Sequence, residues 1–131
     1  MSENLYQSFT DLDVWKSARR LKIKVEDLVK TFPPDEKYRL CDQIIKSSRG
    51  IGAVIAEGHG RYSYKDQIHF CVIARGSLSE TLNHLIDALD AGYITKEDVS
   101  VFKTHIDETG KLLNGYISFL RTKINPPLKS I

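Results

Sequence analysis

No apolar run in the chain approaches the roughly 18 residues that a membrane-spanning helix needs, so a transmembrane protein is excluded. Cysteine is scarce. Cys41 and Cys71 are the only two, and no Cys-x-x-Cys is present, which excludes a disulfide framework. Met1 to Phe9 is polar and lacks the cationic-then-apolar layout of a signal peptide. The expected compartment is therefore the cytoplasm, with both thiols reduced. An excess of one charge is missing too. Nineteen Lys and Arg stand against 17 Asp and Glu, a net +2, well short of the basic bias of a dedicated nucleic-acid binder. There is no Glu-x-x-His, the ligand pair of a di-metal bundle. Asp66-x-x-His69 has the spacing, but both residues project away from the Leu78 face. No phosphate loop occurs, and no stretch alternates at period two for long enough to make a strand. Neither a metal nor a cofactor is expected.

What remains is a chain of 131 residues, 41% hydrophobic and 27% charged, suited to one domain with a real core. Proline and glycine cut it into segments of helical period. In the first, Val14, Ala18, Leu21, Val25, Leu28 and Phe32 form one stripe, and Pro33-Pro34 stops it. The second starts at about Asp35, with Leu40, Ile44, Ile51 and Ile55 on one face. Beside them runs a row of small residues, Ser48, Gly52 and Ala56, which lets another helix approach closely. Gly58-His59-Gly60 ends this segment. The third opens with the capping box Ser63 to Asp66 and carries Cys71, Ala74, Leu78, Leu82, Leu85 and Leu89 up to Gly92. Thr95 to Asp98 is a second capping box. It opens the fourth segment, with Phe102, Ile106, Thr109, Leu113, Tyr116 and Leu120 in one stripe. Segments two to four run to about 24–29 residues each, or about 36–43 Å of helix. Short connections between long helices predict an all-α, up-down-up-down antiparallel four-helix bundle. It should occupy residues 11–124, with a flexible N-terminus over 1–10 and a flexible tail over 125–131 beginning near Pro126-Pro127.

Several landmarks carry a resemblance. They are Phe9-x-Asp11-Leu12-x-Val14-Trp15, Phe32-Pro33-x-x-Glu36-x-Tyr38-x-Leu40, Gln43-Ile44 and Ile55-Ala56-Glu57-Gly58-x-Gly60-Arg61. Phe70-x-x-x-Ala74-x-Gly76-Ser77-Leu78-x-Glu80 and Gly92-Tyr93 complete the set. Together the chain resembles a small bacterial four-helix-bundle family first noticed in intervening sequences of large-subunit ribosomal RNA genes. The match runs from about Phe9 to Leu120, and Ala-Glu-Gly-x-Gly-Arg is its most specific element. One departure is Gly52-Ala53-Val54, where the family commonly has Pro-Ser-Asn. The resemblance implies a ring-like homopentamer and no known enzymatic activity. A related branch, the accessory variability proteins of diversity-generating retroelements, is basic and works with a reverse transcriptase and nucleic acid.

Glu57 sits in a last helical turn, where the helix dipole disfavours an anion, and Arg61 is within reach across the turn. The pair reads as a ligand site or as a structural turn lock, whose carboxylate would also accept N–H groups from the next helix start. Capping needs favour the lock. Arg75 falls inside an apolar arc and reads as a snorkelling stem or an ion-pair partner. Cys41 and Cys71 lie on apolar faces at levels about 13 Å apart and read as small core residues. Gly76-Ser77 reads as a close-packing point, since Ser77 lacks a His and acid partner. Between Leu12 and Phe32 six cations face three acids, and Lys16, Arg19 and Lys30 lie opposite the core stripe. These three are the candidate nucleic-acid contacts, weak and salt-sensitive, with no aromatic interleaved to stack bases. On the fourth segment Val101, Leu112 and Phe119 cluster about 100–120° from the core direction, and Tyr116 bridges the two stripes. This second row is the candidate oligomer interface. Two functions follow as expectations. The first is a non-enzymatic, homo-oligomeric scaffold or adaptor. The second is an accessory nucleic-acid-binding protein acting with a reverse transcriptase or ribosomal RNA.

Overall fold

The computed structural model describes residues 8–124. Four helices account for most of it: α1 Asp13–Val29, α2 Leu40–His59, α3 Tyr64–Asp90 and α4 Lys96–Ile124. No strand is present among the described residues. Helix α1 packs on α2 and α4, and α3 packs on the same two, so α1 and α3 are diagonal. Each helix runs antiparallel to the next, and the four enclose one core. Leu21, Ile44, Ile51, Leu85 and Leu113 are fully buried at its centre. Burying a side chain of this size contributes about 1.5–3 kcal/mol.

The boundaries follow local chemistry. Residues 1–7 and 125–131, expected to be flexible, lie outside the described residues. Residues 8–10 were expected to belong to the same flexible N-terminus. Instead Phe9–Asp11 form a 3-10 turn capped by the Ser8 hydroxyl, and Phe9 meets Trp15 edge-on at 5.2 Å. Helix α1 stops at Val29 rather than Phe32, because Pro33 disfavours helical backbone at the residue before it. Thr31 closes the end by bonding the Leu28 carbonyl through both its N–H and its hydroxyl. Val29 is buried there, and Leu28 only half so.

Helix α2 begins at Leu40, later than the acidic residues suggest. Pro34–Glu36 form a separate 3-10 turn, and the Arg39 backbone (φ −120°, ψ −104°) breaks the path into the helix. Glu36 does not cap α2. Its carboxylate accepts a 2.6 Å hydrogen bond from the Tyr93 hydroxyl in the α3–α4 turn. That bond raises the Tyr93 pKa above its ordinary value, and the Tyr93 ring also lies against Phe32. Helices α3 and α4 are capped as the sequence predicts. Asp66 N–H bonds the Ser63 hydroxyl, while Thr95 and Asp98 cap each other reciprocally. Gly92 ends α3 at φ +81°, the left-handed position that favours glycine. The Tyr93 N–H then reaches back to the Ala88 carbonyl in a Schellman closure. In α4 the core stripe differs at one place: Ile117 is buried and Tyr116 is half-buried.

Two polar pairs interrupt the apolar core. Thr109 donates to the His105 carbonyl and therefore receives the Ser17 hydroxyl proton at 2.6 Å, tying α1 to α4. Ser47 and Thr81 meet at 3.0 Å between α2 and α3. Above Ser17, His105 Nε2–H donates to the Ser17 carbonyl at 3.0 Å, and Lys24 Nζ approaches Nδ1 at 3.4 Å. Burial lowers the His105 pKa below its ordinary 6.5; the bond to the Ser17 carbonyl and the nearby Glu108 oppose it, while Lys24 and Arg20 lower it further. Protons therefore favour the unfolded chain at this residue. Its contribution should be complete above about pH 6.5 and be lost as the pH falls through the lower folded-state value. Chemical denaturation across that range should show stability rising with pH, and His105→Gln should flatten the slope.

Candidate functional site

The turn between α2 and α3 brings the predicted pair together. Arg61 Nη2 donates to Glu57 Oε2 at 2.9 Å, and its guanidinium stacks 4.6 Å from the Phe70 ring centroid. The Glu57 carboxylate does not cap α3; Ser63 does. Gln67 adds a bond to the Arg61 carbonyl at 3.0 Å. The turn is closed mainly by backbone proximity. A Cβ on Gly58 would lie 2.6 Å from Phe70 Cβ, so only glycine fits the crossing of α2 and α3. Glu57 and Arg61 side chains are about half exposed, so their ion pair is worth about 0.5 kcal/mol or less after solvent screening. Glu57→Ala should accordingly shift the thermal midpoint by no more than about 2 °C, checked by a melting curve followed at a helical signal.

Other reactive groups are engaged in structure. Both cysteines are free and buried. Burial pushes the Cys71 thiol up to about 11, and burial with the nearby Glu36 raises Cys41, so neither is an activated nucleophile. Ser77 bonds the carbonyl of Ile73 in its own helix. A Cβ added to Gly76 would meet nothing within 4 Å, so Gly76 is not a close-packing point, while Ser77 lies opposite Gly50. Arg75 is exposed and hydrogen-bonds Asn114 across the α3–α4 groove at 3.2 Å. Among the described residues no three His, Cys, Asp or Glu side chains converge.

The basic face of α1 divides. Lys16 and Arg19 lie beside Trp15, with the Arg19 guanidinium 5.9 Å from the indole centroid. Lys30 is elsewhere. It pairs with Asp27 at 3.2 Å and lines a groove of about 750 Å³ between α1 and α2. Acids and bases balance on the walls of that groove: Glu26, Asp27 and Asp42 against Lys30, Lys37 and Arg49. Trp15 is the residue that the sequence pattern understated. The small row Ser48–Gly52–Ala56 receives its indole, and a Cβ on Gly52 would sit 3.4 Å from the indole nitrogen. Trp15 and Arg19 are one helical turn apart, and that spacing was the available signal.

The second row of α4 is open to solvent in the single chain. Val101 is 56% exposed, Phe119 52% and Leu112 38%. Tyr116 stacks on Phe119 at 6.4 Å, and burial pushes its hydroxyl up to about 12. The Lys123 ammonium sits 5.0 Å above the Phe119 ring. A cleft of about 310 Å³ is lined by Leu112 and Tyr116 of α4, by Val14 of α1 and by Leu12 just before it. No described helix is long and apolar enough to cross a membrane.

No curated protein matches the chain. The crystal structure of a Bacteroides thetaiotaomicron VPI-5482 protein of unknown function, from the S23 ribosomal protein family, is similar. The two share 28% identity with a TM-score of 0.72, over 79% of this chain and 97% of that one. The model of the 23S rRNA-intervening sequence proteins matches residues 10–115, from the 3-10 turn before α1 to the second half of α4. With most of its length and its helical architecture accounted for, the chain belongs to the 23S rRNA-intervening sequence protein family.

Proposed function

We propose that the chain is a non-enzymatic scaffold or adaptor of the cytoplasm that works as a homo-oligomer joined through α4. The exposed row of Val101, Leu112 and Phe119 carries this reading. Single exposed apolar residues are ordinary, but a row along one helix face, with an aromatic stack at one end, is the usual mark of a protein contact. Burying it against a second copy contributes about 25 cal/mol per Å² of apolar surface. A ring of five is the count that the family resemblance implies. Light scattering on a sizing column tests the reading: a multiple of the 14.9 kDa chain mass is expected, and a monomer at tens of micromolar would overturn it.

One observation favours a second reading, an accessory nucleic-acid-binding role with a reverse transcriptase or ribosomal RNA as the wider partner. Lys16, Arg19, Arg20, Lys22 and Lys24 fall between Val14 and Val25 of α1 with no acid among them. Purified protein that retains nucleic acid at low salt and loses it at moderate salt would support this reading. Protein that never retains or shifts nucleic acid would remove it.

A further inference from the structure

Two clefts open on either side of Trp15. One, of about 410 Å³, is walled by Lys16, Arg19 and Arg20. The other, of about 360 Å³, lies over the small row of α2 and is walled by Arg19, Lys22 and Arg49, the last held by Glu26 at 2.7 Å. Each is within the size range of small-molecule sites. No carboxylate lines either cleft. That separates them from the larger α1–α2 groove, whose acids cancel its bases. The indole between them is half-buried, wedged at one edge against Gly52 and met edge-on by Phe9. A flat ring held between cation-lined hollows offers stacking and phosphate contacts together, the pairing that single-stranded nucleic acid uses. A duplex presents its bases already stacked on neighbours and cannot offer a ring to such a wedge.

We propose that the clefts flanking Trp15 form a site for single-stranded nucleic acid. An unpaired base stacks at the indole, and Lys16, Arg19, Arg20 and Lys22 meet the phosphates on either side. The site rests on the nucleic-acid reading above and gives it a location and a strand preference. Lys30 and Arg49 are not part of it: Lys30 pairs with Asp27 and Arg49 with Glu26, both in the balanced groove.

Trp15 is the only tryptophan of the chain, so its fluorescence reports the site directly. The test uses the full chain and a labelled oligouridylate of about ten nucleotides, within the usual span of single-strand sites. Label anisotropy reads binding, and indole emission reads the location. Binding should quench Trp15, and affinity should fall about 20-fold between 50 and 200 mM salt if three phosphates are contacted. Arg19→Gln with Lys22→Gln should weaken binding and flatten the salt dependence, whereas Lys30→Gln should behave as the unaltered chain. Trp15→Leu, checked for unchanged helicity, should weaken binding about tenfold. Binding by anisotropy without quenching would overturn the site but leave the nucleic-acid reading standing. A duplex that binds equally well, or polyphosphate that displaces the oligonucleotide at matched charge, would likewise overturn it. No binding at 50 mM salt would overturn the site and the reading together.

Discussion

Replacing Phe119 by glutamate should break the proposed homo-oligomer into smaller species while leaving the melting temperature of the isolated bundle nearly unchanged. In the single chain the Phe119 ring is 52% exposed, stacked on Tyr116 and beneath the Lys123 ammonium of its own helix. A carboxylate there remains in water and can face Lys123, so the cost to the bundle itself is within about 0.5 kcal/mol. Against a second copy the same carboxylate must be desolvated without a partner, at several kcal/mol per ion. Each 1.4 kcal/mol is a factor of about ten in association, so one substitution per interface is enough to separate the copies. Leu112→Glu should act in the same way. Ile86→Glu, at an equally exposed apolar residue of α3, should leave the assembly intact. Light scattering on a sizing column decides it, and a Phe119→Glu particle with the unaltered mass would refute the α4 interface.

Alanine at two glycines should move stability in opposite directions. At Gly58 the added methyl would lie 2.6 Å from Phe70 Cβ and 3.4 Å from the Gln67 carbonyl oxygen. Neither is the far end of a flexible side chain, so α2 and α3 must move apart. Overpacking of this kind costs about 1–3 kcal/mol, against which alanine returns at most about 1 kcal/mol of helix propensity. At Gly76 a Cβ meets nothing within 4 Å, and the residue is exposed in the middle of α3. Only the propensity gain remains there, about 0.5–1 kcal/mol in favour of folding. Urea unfolding of both variants beside the unaltered chain checks the signs. A stabilised Gly58→Ala would mean that the helix crossing is looser than these distances.

Much of this architecture was legible in the sequence because the signals were local. Period, caps and breakers act within a few residues, and they placed α3, α4 and most of the core correctly. The failures were tertiary. Asp35 and Glu36 read as the first turn of α2, but Glu36 is held by Tyr93, a residue 57 positions away. The Gly76-Ser77 pair looked like a close approach, while the real one is Gly58 against Phe70, known only once the antiparallel register is fixed. Glu57 and Arg61 did come together, since one helical turn separates them. Lys16 and Arg19 were separable from Lys30 only through their neighbours, Trp15 in one case and Asp27 in the other. The receiving surface for Trp15, on α2, is sequence-distant, so a small-residue row announced a close neighbour without naming it.

The hydroxyl pairs Ser17–Thr109 and Ser47–Thr81 act as detents on the helices. A bundle lined only by leucine and isoleucine could slide one helix past its neighbour by a turn, about 5.4 Å, and find nearly equivalent packing. Here such a slip would strip the buried Ser17 hydroxyl of its acceptor, at about 1–3 kcal/mol, and part Ser47 from Thr81, whose protons keep the carbonyls of their own helices. The pairs sit in two different helix pairings, α1 with α4 and α2 with α3, so each is indexed separately. Any helix that slips alone breaks one of the two pairs, so the helices are expected to move at least two at a time, α1 with α4 and α2 with α3. A signal reaching one end of this molecule would be passed on by a helix pair moving together, not by ratcheting one helix past its partner.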